Sequence, residues 1–153
     1  MATTTIQQPF TAEQLRIWSH GKWLSFSHDM PIEEIAIDSR KVNEPERSIF
    51  IALKTQLRDG HTFIKDAYEK GIRNFLVSQA IDATPYVAAN FIQVKDTLES
   101  LQQIAAAVRK QYDIPVIGIT GSNGKTIVKE WLYQLLSNEY NIVRSPKSYN
   151  SQV

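Results

Sequence analysis

Lys125 and Thr126 close a glycine-rich stretch, Gly118-Ile119-Thr120-Gly121-Ser122-Asn123-Gly124, and these residue types suit one task, the capture of phosphate oxygens. Glycines let a backbone curl until several N–H groups converge on one anion. A lysine at the end of such a turn reaches terminal phosphates, and the next hydroxyl is a ligand for Mg2+. The spacing departs by one position from the general pattern G-x-x-x-x-G-K-[ST]. That pattern asks for glycine at 119, where this chain carries Ile119, and the glycines fall at 118, 121 and 124 instead. An ordinary strand, turn and helix with an exposed lysine is the blander account of the same residues.

Two further polar clusters could meet a phosphate or a sugar: Asp38-Ser39-Arg40 and Arg58-Asp59-Gly60-His61. Arginine offers a planar fork of donors, serine a short hydroxyl, and a helix start its dipole. The competing account is equally physical. Asp38 and Arg40 make a surface pair, Asp59-Gly60 turns the chain, and His61 starts a helix. The three histidines, at 20, 28 and 61, lack the spacing of a metal site.

The elements that position these groups read as alternating strands and helices. Val116 to Ile119 is a short apolar run that predicts a buried strand, and the helix after Lys125-Thr126 carries Val128, Trp131, Leu132, Leu135 and Leu136. Earlier, Thr11-Ala12-Glu13-Gln14 predicts a capping box, with Leu15 and Trp18 facing inward and His20-Gly21 ending the helix. Trp18, Trp23 and Phe26 are expected in the core. Strands are expected at 33–37, with Ile35 and Ile37 on the apolar side, and at 48–53, 74–78 and 90–94. Helices are expected at 62–70, ended by a left-handed Gly71, and after Asp96, boxed by Glu99, with Leu98, Leu101, Ile104, Ala105 and Val108 inward. Pro115 marks a boundary, and Ile142-Val143 predicts one more strand. The class is α/β: residues 1–112 form a first domain with a mixed sheet, because its early strands are joined by loops. Residues 113–153 form the start of a second, which at this length closes no core alone.

Composition narrows the classes. With 17 basic and 16 acidic residues in 153, there is no electrostatic case for nucleic acid or an anionic membrane. The lack of cysteine excludes disulfides and permits an intracellular home. No apolar run approaches the roughly 20 residues of a membrane span, and Met1 to Pro9 do not read as a signal peptide.

The order of these motifs resembles the Mur ligase family. Gly118 to Thr126 looks like that family's ATP loop, which places glycines at this offset. Asp38-Ser39-Arg40, Ser48 to Leu53 and Asp59-Gly60-His61 resemble its N-terminal domain. Val128-Lys129-Glu130 and Ser148-Tyr149-Asn150-Ser151-Gln152-Val153 look most like the members that add D-alanyl-D-alanine, in the form fused to an alanine racemase. Ile127 stands where many relatives carry a second threonine.

The resemblance implies residues 1–112 as a domain for the UDP end of a UDP-muramoyl-peptide, lined by Ser39 and Arg40, with Arg58, Asp59, Gly60 and His61 as a second wall. It implies residues 113–153 as the start of an ATP domain. There Gly121, Ser122, Asn123, Gly124, Lys125 and Thr126 hold phosphates, Lys125 and Thr126 serve catalysis, and Thr126 ligates Mg2+. It further implies cytoplasmic peptidoglycan-precursor synthesis, with D-Ala-D-Ala joined through an acyl phosphate. The remainder of the chain is expected beyond Val153, so the 153 residues alone are expected to ligate nothing and to bind ATP weakly. Three other readings stay open: the relative that adds the third amino acid, a non-catalytic uridine-nucleotide module, and an unrelated phosphate-loop kinase or GTPase.

Overall fold

The computed structural model describes residues 9–55 and 58–145. The chain divides into two compact units, Met1–Tyr112 and Asp113–Val153.

The first unit runs β1 (Phe10–Thr11), α1 (Ala12–Trp18), β2 (Lys22–Ser25), β3 (Pro31–Ile32), β4 (Glu34–Ala36), β5 (Ser48–Ile51), α2 (Ile64–Glu69), β6 (Asn74–Val77), β7 (Asn90–Gln93) and α3 (Thr97–Arg109). Short 3-10 turns stand at Ser39–Lys41, Pro45–Arg47 and Gly60–Phe63. β1 and β3 form a small antiparallel ladder, and the other strands make one sheet in the order β2-β7-β6-β5-β4.

The sheet is mixed, as expected, but for a different reason. β4, β5, β6 and β7 are all parallel, and β2 alone lies antiparallel, on β7. β4 and β5 are joined without an α-helix, yet the segment 37–47 is long enough to carry the chain back to the starting edge. The antiparallel member, Lys22–Ser25, was not foreseen. Only Trp23 and Phe26 stood out there, as core residues, and Phe26 is half exposed. Gly21 precedes this strand because a β-carbon there would run into Ile92 Cγ2.

Both faces are covered at the centre of the sheet, so β5 and β6 are buried at every residue. Alternation sends Ile49, Ile51, Leu76 and Ile92 to one side, against Leu15 of α1 and Ile104 of α3. It sends Phe50, Phe75 and Phe91 to the other, against Ile64 and Ala67 of α2. Parallel register places those three phenylalanines in one row, Phe50 beside Phe75 and Phe75 beside Phe91. Each such side chain contributes about 1.5–3 kcal/mol by its burial.

Several facing assignments need correction. Ala36 of β4 is buried, while Ile35 in the strand and Ile37 just past it are exposed, since β4 is the edge strand and its second face is left open among the described residues. On α3, Ala105 faces solvent and Ser100 is buried. Asp96 caps α3 by accepting from the N–H groups of Leu98 and Glu99, while the Glu99 carboxylate accepts from Gln103 one turn on. Gly71 has φ +106°, the left-handed ending expected after α2.

In the second unit, α4 (Lys125–Leu136) follows the glycine loop as the spacing predicts. The two expected strands do not form. Residues 113–121 and 141–145 carry no ladder, and Val116, Ile117 and Val143 are exposed. Apolar β-branched residues favour a pleated surface, but a strand also needs a neighbour for its N–H and C=O groups, and among the described residues of this unit none is paired to it. No residue of α4 is buried. Ser148 to Val153 lie outside the described residues.

Candidate functional site

Four parallel neighbours share one carboxyl edge, and the segments that leave it hold the polar clusters. Ligands of open α/β sheets gather outside such ends. Asp38 leaves β4 and caps the turn Ser39–Lys41 by accepting from the Arg40 N–H at 3.1 Å. The Arg40 guanidinium returns to the same carboxylate as a fork, Nε to Oδ1 and Nη2 to Oδ2, both 2.9 Å. That fork, with the Arg40 N–H, holds the Asp38 carboxyl well below the usual carboxylate range. Arg40 remains mostly exposed, with 78% of its side chain in solvent, so a stronger anion can compete for it. Ser39 is buried, and its carbonyl accepts from the Lys70 ammonium at 2.9 Å.

After β5 the chain makes a small hairpin. Gly60 N–H donates to the Leu53 carbonyl at 2.8 Å, and Thr55 N–H to the Arg58 carbonyl at 2.8 Å. Arg58 stands near the tip and is exposed. Asp59 sits at the base, where its carboxylate accepts from the His61 N–H at 3.0 Å and from Gln79 Nε2 at 2.9 Å, and meets His61 Nδ1 at 2.6 Å. Led by the His61 N–H, these contacts lower its pKa to about 2 against the opposing effect of burial. His61 Nε2 in turn accepts from the Ser78 N–H at 3.0 Å.

This arrangement sorts the second cluster. Arg58 faces solvent, whereas Asp59 and His61 spend their polar atoms inside the protein. Asp59 also occupies the helix start that a phosphate would otherwise use. The sequence reading missed Ser78, Gln79 and Lys70. Ser78 and Gln79 had a signal, since they directly follow β6 at the same edge. A cavity of about 250 Å3 lies among His28, Met30, Glu46, Gly71, Arg73 and Ala88, residues that precede β3, β5, β6 and β7. None of the predicted site residues lines it.

The second unit holds the glycine loop. Gly121 and Gly124 have φ of +145° and +79°, so side chains there would be strained and the loop needs glycine at both. Gly124 caps α4 without a side chain, which leaves the start of α4 open toward an anion. Lys125 folds back over its own loop, donating to the Gly121 carbonyl at 2.5 Å. Thr126 follows on the first turn of α4. Arg144 pairs with Glu130 and stacks over the Tyr133 ring at 3.9 Å, which ties the segment after α4 back to it.

A model of the Mur ligase family, catalytic domain, matches residues 31–109. The chain belongs to the Mur ligase family. It is 35% identical over 122 residues to the UDP-N-acetylmuramoyl-tripeptide--D-alanyl-D-alanine ligase of Bacillus subtilis, covering 80% of this chain and 26% of that one. It is 36% identical over 120 residues to the UDP-N-acetylmuramoyl-L-alanyl-D-glutamate--2,6-diaminopimelate ligase of Clostridioides difficile, covering 75% and 23%. Among solved structures, MurF from Acinetobacter baumannii superposes with a TM-score of 0.74 at 32% identity, over 86% of this chain and 28% of that one. MurF from Thermotoga maritima in complex with ADP gives 0.66 at 28% identity, over 76% and 26%. The chain thus spans about a quarter of the length of these Mur ligases. Among the described residues no helix is long and apolar enough to cross a membrane.

Proposed function

We propose that this Mur ligase segment carries the uridine-nucleotide end and the phosphate loop of a cytoplasmic, ATP-dependent amide ligase that joins D-alanyl-D-alanine to UDP-N-acetylmuramoyl-tripeptide. Residues 1–112 hold the UDP end and residues 113–153 begin the ATP domain. The similarity of most of the chain to ligases of that name carries this reading. In that reaction class the γ-phosphoryl group of ATP passes to a peptide carboxylate with release of ADP. An amine then attacks the acyl carbon, forming the amide and expelling phosphate as the amine gives up a proton.

The chain's own residues supply positioning and charge. Ser39 and Arg40 at the end of β4, with Arg58 on the next hairpin, present donors at the edge where a diphosphate sits. Asp59, Gly60 and His61 build that hairpin. Gly121 to Gly124 supply backbone N–H groups, and Lys125 leaves its loop carbonyls for phosphate oxygens. Among the described residues no three His, Asp or Glu gather as a metal site. Thr126, next to Lys125 on the first turn of α4, would offer its hydroxyl as one ligand of a phosphate-bound Mg2+.

Calorimetry of the 153-residue chain with UDP-N-acetylmuramoyl-tripeptide, and separately with Mg2+-ATP, tests the assignment. Uptake of the muramoyl-peptide without ATP is expected. Tight ATP binding with no affinity for the uridine nucleotide overturns the domain assignment. A second reading, the ligase that adds a diamino acid, is favoured by the Clostridioides difficile similarity. A full-length protein carrying this segment separates the two: ADP release that requires D-Ala-D-Ala and the tripeptide substrate supports the first reading. Release with a free diamino acid and the dipeptide substrate supports the second.

A further inference from the structure

We propose that His61 is a positioning residue, whose neutral Nδ1–H tautomer locks the hairpin 53–60, and Arg58 with it, to the end of β6. The role rests on reading this edge as the place of a nucleoside diphosphate. A backbone N–H only donates, so the Nε2 that faces the Ser78 N–H presents its lone pair. A neutral imidazole then carries its proton on Nδ1, where Asp59 Oδ1 accepts it. The ring is 6% exposed, so water has little access to replace either partner.

One continuous line of hydrogen bonds therefore runs from the backbone after β6, through the ring, to the carboxylate at the hairpin base. Gln79 Nε2 and the Lys54 ammonium, the latter 3.9 Å away, hold the other carboxylate oxygen. Moving the proton to Nε2 sets donor against donor at Ser78 and removes the donor to Asp59. The hairpin base then keeps Gln79 as its tie to the end of β6 and loses the link through the ring. Arg58 itself is paired with Thr55, which meets both its N–H and its carbonyl. Among the described residues the exposed Arg58 guanidinium has no acceptor. His61 thus reaches a ligand only through Arg58 and does not touch it.

The ring spectrum and a double-variant cycle test this on the 153-residue chain. A long-range proton–nitrogen spectrum of the imidazoles is expected to show His61 protonated at Nδ1 and bare at Nε2. The reverse tautomer overturns the proposal whether or not nucleotide binds. In titrations with UDP, R58A and H61A are each expected to weaken binding about tenfold, the size of one charge-assisted contact. The double variant is expected to weaken it no further, because both act through one contact. H61Q, whose carboxamide oxygen can accept from Ser78, is expected to retain more affinity than H61A, and it replaces H61A in the cycle should H61A fail to fold. Additive losses, or a histidine variant with wild-type affinity, overturn the role. A wild-type chain that shows the Nδ1 tautomer but takes up no UDP removes the nucleotide reading of the edge, and this role with it.

Discussion

Lys125 Nζ donates to the carbonyl of Gly121, four residues back in its own loop, at 2.5 Å, with the Ser122 carbonyl at 3.5 Å. A triphosphate has to outbid those carbonyls. The loop also lacks bracing, because Val116 to Ile119 form no ladder among the described residues. A site held this loosely loses affinity. Calorimetry of the 153-residue chain with Mg2+-ATP is expected to give a Kd of about 1 mM or weaken beyond it. A micromolar value would show that the loop needs neither a paired strand nor a released lysine.

Phe75 and Phe91 stack at 4.7 Å with their planes 12° apart, and Phe50 meets Phe75 edge-on at 6.4 Å. Phe75 lies at the middle of the row and is fully buried. Phe75→Ala is expected to lose about 3–5 kcal/mol in urea unfolding of the chain. Ile35→Ala, on the exposed side of the edge strand, is expected to lose about 1 kcal/mol or less. Equal losses would mean that the Ile35 face is covered in solution.

The contrast between these two residues shows what the sequence could and could not say. Apolar runs such as Ser48 to Ile51 are legible because buried parallel strands are apolar on both faces. Ile35 alternates as an inward residue would, yet its exposure depends on β4 being an edge, which only the strand order decides. β2 was missed because half-exposed Lys-Trp-Leu-Ser has no clear period and gains its partner, β7, from far along the chain. Val116 to Ile119 failed in the opposite sense, with strand-like residues and no neighbour to pair with. At the site, Gly121, Gly124 and Lys125 were legible since backbone curvature and charge are local properties. The commitment of Asp59 and His61 to Gln79 and Ser78 was not, because it spans 20 and 17 residues of chain.

Thr11 Oγ1 accepts from the Gln14 N–H at 3.1 Å, and the Gln14 carboxamide oxygen accepts from the Thr11 N–H at 2.9 Å. Both halves of the box rest on these two side chains. Thr11→Ala is expected to destabilise the chain by about 1 kcal/mol, and Gln14→Ala by less, since it leaves the threonine cap in place. Urea midpoints compared at constant slope measure both. A larger loss for Gln14→Ala would place its main contact elsewhere than the cap.

Asp59 predicts how the first unit answers to acid. Its carboxyl titrates at about 2, held down first by the His61 N–H and then by the His61 ring and Gln79, whereas an unfolded aspartate titrates near ~3.9. The unfolded chain therefore takes up the proton first. The stability contributed by these bonds is complete above about pH 4 and drains away as the pH falls through about 2. Asp59→Asn has no such proton to take up, so its urea midpoint is expected to be lower than wild type at neutral pH and to change less between about pH 4 and pH 2. Asp38, also held low by Arg40, keeps a residual slope in both chains. Parallel profiles for wild type and Asp59→Asn across that window would mean that the carboxylate is not the hub that ties the hairpin to β6.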